Sequence, residues 1–178
     1  MDWWTIGALV GGVLLLPTAY AGIIGAPWAP TRMAAVKKAF DDIGISEKDI
    51  VIDLGAGDGS ILAEALRRGA RAAGYELSPI MWAIAMIRSR GNVIYGNFFK
   101  KKLMSNTTVV FFFLMPKHMK AVGAYIASQK LKGKTLVLSY AFPFKEIKAL
   151  TIYREKNCAP LYLYEVSELR AHFDNYHP

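Results

Sequence analysis

The chain has a single cysteine, Cys158, among its 178 residues. An intrachain disulfide and a cysteine-ligated zinc site are both excluded, and Cys158 reads as a small, partly buried residue. Histidine is nearly as scarce: His118, His172 and His177 are too scattered to make a metal site, and the last two fall in a tail expected to fray. Acidic residues are outnumbered, 14 against 22 basic ones, which leaves a net charge of +8. That excess suits nucleic acid, an anionic membrane surface or simply a solvated exterior, so charge alone does not choose a partner. Internal repeats and low-complexity linkers are absent, and the length fits one domain with a proper core.

Charge is also missing locally. From Trp3 to Thr31 there is no ionisable charge, and the stretch is dense in Leu, Ile, Val, Ala and Gly. A helix from Trp3 to about Ile24 would span roughly 33 Å, close to the ~30 Å hydrocarbon thickness of a bilayer. Trp3, Trp4 and Trp28 stand where interfacial aromatics belong, and Arg32, Lys37 and Lys38 follow on one side only. The expectation is a single-pass membrane anchor over residues 1–26, with a second unit, 27–178, on the cytoplasmic side. Two other readings stay open. One is a helix lying on the membrane or packed on protein, since Pro17 and several glycines weaken a straight span. The other is a signal peptide ending near Ala19-Tyr20-Ala21, although no Lys or Arg precedes the apolar run. Gly7 and Gly11 form a G-x-x-x-G of the kind that packs helices in lipid, a weak signal in such a segment.

Beyond Thr31 helical and strand-like patterns alternate. Thr31–Ile43 reads as an amphipathic helix, with Met33, Val36 and Phe40 on one face and Lys37, Lys38 and Asp41 on the other. Strands are expected at 50–54, 72–77, 93–95, 108–114, 135–140, 150–154 and 161–166. Helices are expected at 59–68, 79–88 and 116–129. Ser78 and Pro79 suit an N-cap and a first-turn position. The 108–114 run is so apolar that it reads as a strand buried on both faces. Repeated β-α units with short connections predict a doubly wound α/β sheet.

The most informative stretch is Val51-Ile-Asp-Leu-Gly-Ala-Gly-Asp-Gly-Ser60. A buried strand breaks into glycines and a helix follows at once, the unit that presents backbone N–H groups to a nucleotide-like ligand. The spacing departs from the dinucleotide fingerprint, because Ser60 stands where its third glycine would fall. Instead D-x-G-x-G-x-G resembles motif I of the S-adenosylmethionine (AdoMet) methyltransferases, whose ligand carries a sulfonium and an amino-acid moiety but no phosphate. In open α/β sheets ligands bind beyond the carboxyl ends of the strands. The candidate cofactor contacts are therefore Asp53, Gly55, Ala56, Gly57 and Asp58 after the first strand, and Glu76 with Leu77 after the second. Asn97 and Phe98 follow the third strand and Leu114 ends the fourth. Glu76 lies about twenty residues past the glycines, where a carboxylate accepts from ribose hydroxyls. Asn97 can pair with the adenine edge and the Phe98 ring can stack on it. A carboxylate at Asp53, at the end of a buried strand, must find a cation or backbone N–H groups. The Lys100-Lys101-Lys102 run reads as a solvated turn or as a contact for acidic groups.

Five segments then occur in a telling order: Pro27-Trp-Ala-Pro-Thr31, the glycine stretch, Gly74-Tyr-Glu-Leu-Ser-Pro79, Gly96-Asn-Phe-Phe99 and Leu138-Ser-Tyr-Ala-Phe142. Together they resemble the small protein lysine methyltransferases, which include an archaeal broad-specificity enzyme. The group also includes mitochondrial enzymes acting on the ATP synthase c subunit and the adenine nucleotide translocase. The resemblance spans residues 26 to 166, and the Pro-aromatic-x-Pro-Thr element is its more specific marker. It implies a Rossmann-like, seven-strand class I AdoMet-dependent methyltransferase domain over 27–178. The implied reaction moves methyl from AdoMet to a lysine ε-amine and leaves S-adenosylhomocysteine (AdoHcy). By position, Asp53, Gly55, Gly57, Glu76 and Asn97 would contact the cofactor, and Trp28, Pro30 and Thr31 would line or cover the site. The family often has a longer charged turn after the third strand and a His or Arg near Tyr140, so substrate recognition departs here.

The chemistry asks for alignment of donor and acceptor and for a neutral amine. Trp28, Phe98, Tyr140 and Phe142 would form an apolar channel that holds the amine, with Trp28 and Tyr140 as its positioning residues. No dedicated base, nucleophile or metal is expected. The expected partner is a protein substrate, such as a small membrane protein with a lysine in a short loop. Alternatives are a lipid or quinone methyltransferase and a non-catalytic AdoMet-binding membrane protein. Nucleic acid is set aside, because Phe113-Leu-Met-Pro-Lys117 lacks the Asn/Asp-Pro-Pro-aromatic motif of base amino-group methylation.

Overall fold

Five apolar runs become parallel strands: β1 (Ile50–Leu54), β2 (Arg71–Glu76), β3 (Val93–Tyr95), β4 (Val109–Phe112) and β5 (Leu136–Tyr140). Strands β6 (Thr151–Tyr153) and β7 (Leu161–Glu165) pair antiparallel, and β7 joins the edge of β5. The result is a seven-stranded sheet in the order β3-β2-β1-β4-β5-β7-β6. It is a computed structural model and describes residues 2–9, 11, 12 and 29–173.

Helices cover both faces of the sheet, as buried parallel strands require. Side-chain alternation in β1 sends Val51 to one face and Ile50, Ile52 and Leu54 to the other. The Val51 face carries α1 (Met33–Ile43), α2 (Ser60–Arg67) and Ala85 of α3 (Pro79–Arg88). The opposite face carries α4 (Met119–Ser128) and α5 (Val166–Phe173). Phe111 and Phe112 of β4 point to opposite faces and both are buried, each contributing about 1.5–3 kcal/mol from apolar burial. Gly44 ends α1 in the left-handed region and donates its N–H to the carbonyls of Phe40 and Asp41. Ser78 caps α3 by accepting from the Met81 N–H, with Pro79 at the first position.

Beyond Thr31 the expected strands and helices all appear, with ends unmoved or moved by at most three residues. Two features differ. Short 3-10 turns, Phe98–Lys100 and Pro116–His118, follow β3 and β4. Residues 166–173 do not fray: they form α5, which buries Val166, Leu169 and Phe173 and contains His172.

The membrane-anchor expectation is corrected. Among the described residues no helix is long and apolar enough to cross a membrane, so single-pass anchoring with a cytoplasmic domain has no support. Crossing ~30 Å takes about 20 apolar residues, whereas the longest described helix, α1, has 11 and is amphipathic. Residues 3–9 and 11–12 are helical, with Trp3 and Trp4 exposed. Residues 13–28, most of the expected span, lie outside the described residues.

Candidate functional site

All five parallel strands end on one edge of the sheet, and the candidate residues gather there. After β1 the backbone enters the left-handed region three times, at Gly55 (φ 104°), Gly57 (φ 53°) and Gly59 (φ 79°). Gly59 is the most constrained: a Cβ there would come within 3.0 Å of the Ala85 Cα on α3, on a backbone that L side chains rarely adopt. The turn is tied to β2 by N–H donation from Gly55 and Ala56 to the Tyr75 carbonyl, at 3.0 and 2.8 Å. It then feeds α2, where the Ser60 N–H donates to Asp58 Oδ1 at 3.1 Å.

Glu76 locks this turn from the end of β2. Its Oε2 accepts from the Gly57 N–H at 2.8 Å, and its Oε1 from the N–H groups of Leu77 and Ser78 at 2.8 and 2.7 Å. Burial pushes the Glu76 carboxyl up, against the pull of these three N–H groups. Asp58 shows the opposite balance. Burial, the largest influence, acts upward, but hydrogen bonds from Ser60 and Arg88 outweigh it and hold the carboxyl low. Arg88, on α3, forms an ion pair with Asp58.

Asp53 is 1% exposed, and its Oδ1 has no hydrogen-bond partner among the described residues. Burial raises it well above the usual carboxylate range, and the neighbouring charges of Glu76 and Asp58 add to the effect. Asp53, Asp58 and Glu76 thus ring the glycine turn with acid. Such a ring repels a pyrophosphate and suits a ligand with a cationic end and ribose hydroxyls. The orphaned oxygen of Asp53 is the clearest mark of that fit.

Leu114 reaches the same turn, its Cδ2 3.9 Å from where a Cβ on Gly55 would stand. Asn97 accepts from the Phe99 N–H at 3.0 Å and so caps the 3-10 turn after β3. Phe98 turns inward: it is 9% exposed, lies 4.2 Å from the Phe99 ring and meets Tyr125 edge-on at 5.5 Å. Phe99 is the exposed member of the pair.

Beyond β5, Tyr140 is buried and its hydroxyl accepts from the Arg32 N–H at 3.3 Å. Cys158 Sγ donates to the Arg32 carbonyl at 3.8 Å. These two bonds bring the exposed Pro30 and half-buried Thr31 to the carboxyl ends of β5 and the β6–β7 connection. Trp28 lies outside the described residues. Tyr140 packs edge-on against Phe113 at 5.0 Å, and Phe142 lies 6.5 Å from Phe113. Ala141, between Tyr140 and Phe142, sits at φ 70°, held by donation of its N–H to the Pro160 carbonyl. An aromatic cluster of Phe113, Tyr140 and Phe142 therefore stands at the carboxyl ends of β4 and β5, and β4 is the neighbour of β1 in the sheet.

Sequence reasoning did not pick out Phe113, which looked like one more core residue of an apolar run, or Arg88, thirty residues from its partner. Nothing local marks either of them. The only cue for Phe113 is its place just past the end of β4.

Known proteins resemble the chain in sequence and in fold. The family profile described as the ANTKMT methyltransferase domain matches residues 53–151. A protein-lysine N-methyltransferase from Saccharolobus islandicus (strain REY15A) is 31% identical over 128 residues, covering 67% of this chain and 78% of the relative. An RNA methyltransferase from Salinibacter ruber, solved with S-adenosyl-L-homocysteine, superposes with a TM-score of 0.70 at 26% identity, covering 79% of this chain and 95% of its own. A TehB-like SAM-dependent methyltransferase from Corynebacterium glutamicum shares the fold with a TM-score of 0.58 at 12% identity, covering 75% and 88% of the two chains.

Proposed function

Since the chain belongs to the ANTKMT methyltransferase domain family and is an AdoMet-dependent methyltransferase, we propose that its acceptor is a protein lysine ε-amine. The observation that carries this reading is the aromatic wall of Phe113, Tyr140 and Phe142 at the carboxyl ends of β4 and β5, the end of the sheet on which the acidic glycine turn follows β1. The lysine methyltransferase from S. islandicus supports it.

We assign the cofactor cradle to Asp53, Gly55, Ala56, Gly57, Asp58, Glu76 and Leu77, with Asn97, Phe98 and Leu114 along its adenine side and Pro30 and Thr31 at its cover. Bound AdoMet supplies a methyl group made electrophilic by a sulfonium. Asp53 offers its free oxygen to the cationic end of that ligand. Glu76 holds the turn open through Gly57 while keeping lone-pair capacity for hydroxyl donors. The acceptor must arrive neutral, and deprotonating a free lysine near pH ~7.4 costs about 4 kcal/mol. An apolar wall lowers that cost by disfavouring the ammonium form. Tyr140 positions the wall: its hydroxyl is engaged with the Arg32 N–H, so its ring is fixed and it is not needed as a base.

The test uses AdoMet labelled in its methyl group, the full chain and a mixture of cellular proteins, lipids and RNA. Label recovered as methyl-lysine after protein hydrolysis is the expected result. Label confined to RNA would replace this reading with the one favoured by the S. ruber RNA methyltransferase. Label confined to lipid would exclude both.

A further inference from the structure

From Leu77 to Lys145 the chain holds eleven lysines and arginines and not one aspartate or glutamate. The rest of the chain, with eleven basic and fourteen acidic residues, is left slightly negative. The net charge of +8 is therefore concentrated in one half of the fold, the half that contains α3, β3, β4, α4 and β5.

Lysines follow three of those strands. Lys100, Lys101 and Lys102 follow β3, Lys117 and Lys120 follow β4, and Lys145 follows β5; all are exposed. The segment after β3 is laid against α4: the Tyr125 hydroxyl donates to the Lys101 carbonyl at 3.1 Å, and the Leu103 N–H donates to Gln129 Oε1 at 3.0 Å. The Lys101 side chain folds back toward the end of β3, its Cε 3.9 Å from where a Cβ on Gly96 would stand. Lys38, Arg67, Arg68 and Arg88 are all neutralised by carboxylates, whereas Lys100, Lys101, Lys102, Lys120 and Lys145 form no ion pair among the described residues. The carboxylates of this edge, Asp53, Asp58 and Glu76, belong instead to β1 and β2. The edge is therefore bipolar, acid in the cradle and base along the α4 border.

We propose that the lysine border of α4 is a docking surface for an acidic segment of the protein substrate that flanks its target lysine, an inference that rests on the lysine-acceptor reading for its last step. Charge complementarity selects this occupant. Exposed lysines attract carboxylates over about a Debye length, ~10 Å at 0.1 M salt, and steer their approach. A nucleic acid fits less well, because a continuous polyanion laid toward the reacting centre meets the three carboxylates of the cradle. A chain of alternating sign matches both halves of the edge.

The experiment uses the full-length protein saturated with AdoHcy and two fluorescein-labelled peptides, each with one central lysine, flanked by glutamates in one and by serines in the other. Binding is read by anisotropy at roughly 0.05 M and 0.3 M salt, and methyl transfer to the same peptides is read with AdoMet. The glutamate peptide should bind about tenfold more tightly at the lower salt and lose that advantage at the higher. The variant Lys100→Gln/Lys101→Gln/Lys102→Gln/Lys120→Gln should erase the advantage while turnover of the serine peptide and AdoHcy binding stay unchanged, which also shows that it folds. Equal binding of the two peptides, or an advantage that survives in the variant, would overturn the surface. So would tighter binding of a single-stranded RNA of equal charge. A glutamate peptide bound through these lysines but never methylated would count for the surface and against the lysine acceptor.

Discussion

Asp53 is the residue on which the cradle's response to pH turns. Its folded-state pKa lies above the unfolded value, because burial and then the charges of Glu76 and Asp58 oppose its ionisation. Its contribution to stability is therefore whole below the unfolded pKa and is lost as pH rises through the raised one. A cationic ligand end reverses the preference by stabilising the carboxylate. AdoMet affinity should accordingly rise with pH through the same window, and Asp53→Asn should flatten that rise and weaken binding by about tenfold or more. The same variant should gain thermal stability without ligand on the alkaline side of that window, where an ionised Asp53 is a burden. Calorimetric titration and melting curves across that range decide it; an Asp53→Asn protein that keeps the wild-type pH dependence would remove Asp53 from the ligand's cationic end. Phe113 calls for a different measurement. If the wall it forms with Tyr140 and Phe142 holds the acceptor, Phe113→Ala should lower kcat at least tenfold while changing the AdoHcy Kd less than threefold. Equal losses in both would mean that the ring only supports the fold. Asp53 was legible beforehand because a carboxylate ending a buried strand needs a reason. Phe113 was not, because an aromatic in an apolar run has an adequate one already.

At the scale of elements, helix α5 shows where the local signal ran out. Val166, Leu169 and Phe173 have the spacing of one helical face, yet α5 begins on the residue after β7, with no turn residue to mark a boundary. What fixes it is tertiary: Phe173 lies over Gly123 of α4, where an added Cβ would stand 2.4 Å from its ring carbon and 3.0 Å from Phe144. Arg170 reinforces the contact by donating to the Gln129 and Leu131 carbonyls at 2.9 and 2.6 Å. A helical glycine is thus retained against its poor propensity because two aromatic rings occupy the space of its side chain. Gly123→Ala should destabilise the protein by about 1–3 kcal/mol through overpacking, despite alanine being the better helix former. Combining it with Phe173→Leu should recover part of the loss, since coupled neighbours are non-additive. Denaturant titration of the two single variants and the double variant measures this, and strict additivity would show that Phe173 is not the obstacle. The strand-turn-helix after β1 is the contrary case. There the glycines and Asp53 are consecutive, so the whole device could be read from ten residues.

Across the whole molecule, the sheet order follows from strand character. β1 and β4, buried along their entire length, take central positions, and β3, with two of its three residues exposed, takes the edge. This places the glycine turn over the middle of the sheet, bordered by β2 on one side and β4 on the other. Alternating β-α units made that architecture readable, whereas the anchor expectation found no support at the same scale, since among the described residues no helix is long and apolar enough to cross a membrane. A ligand held as proposed would bridge residues after β1, β2, β3 and β4, so its binding should stabilise the sheet as a unit. At AdoHcy about a hundred times its Kd the linkage gain is about 2.7 kcal/mol. For a chain of this length that corresponds to a rise in Tm of about 5–10 °C. ATP and NADH, whose phosphates would face Asp53, Asp58 and Glu76, should leave the Tm within about 1 °C of the unliganded value. A scanning fluorimetry series with the three ligands separates the alternatives in one measurement. A shift with ATP or NADH and none with AdoHcy would mean that the carboxylate ring is not facing the ligand, and the assignment of the turn to a sulfonium-bearing adenosine would fall with it.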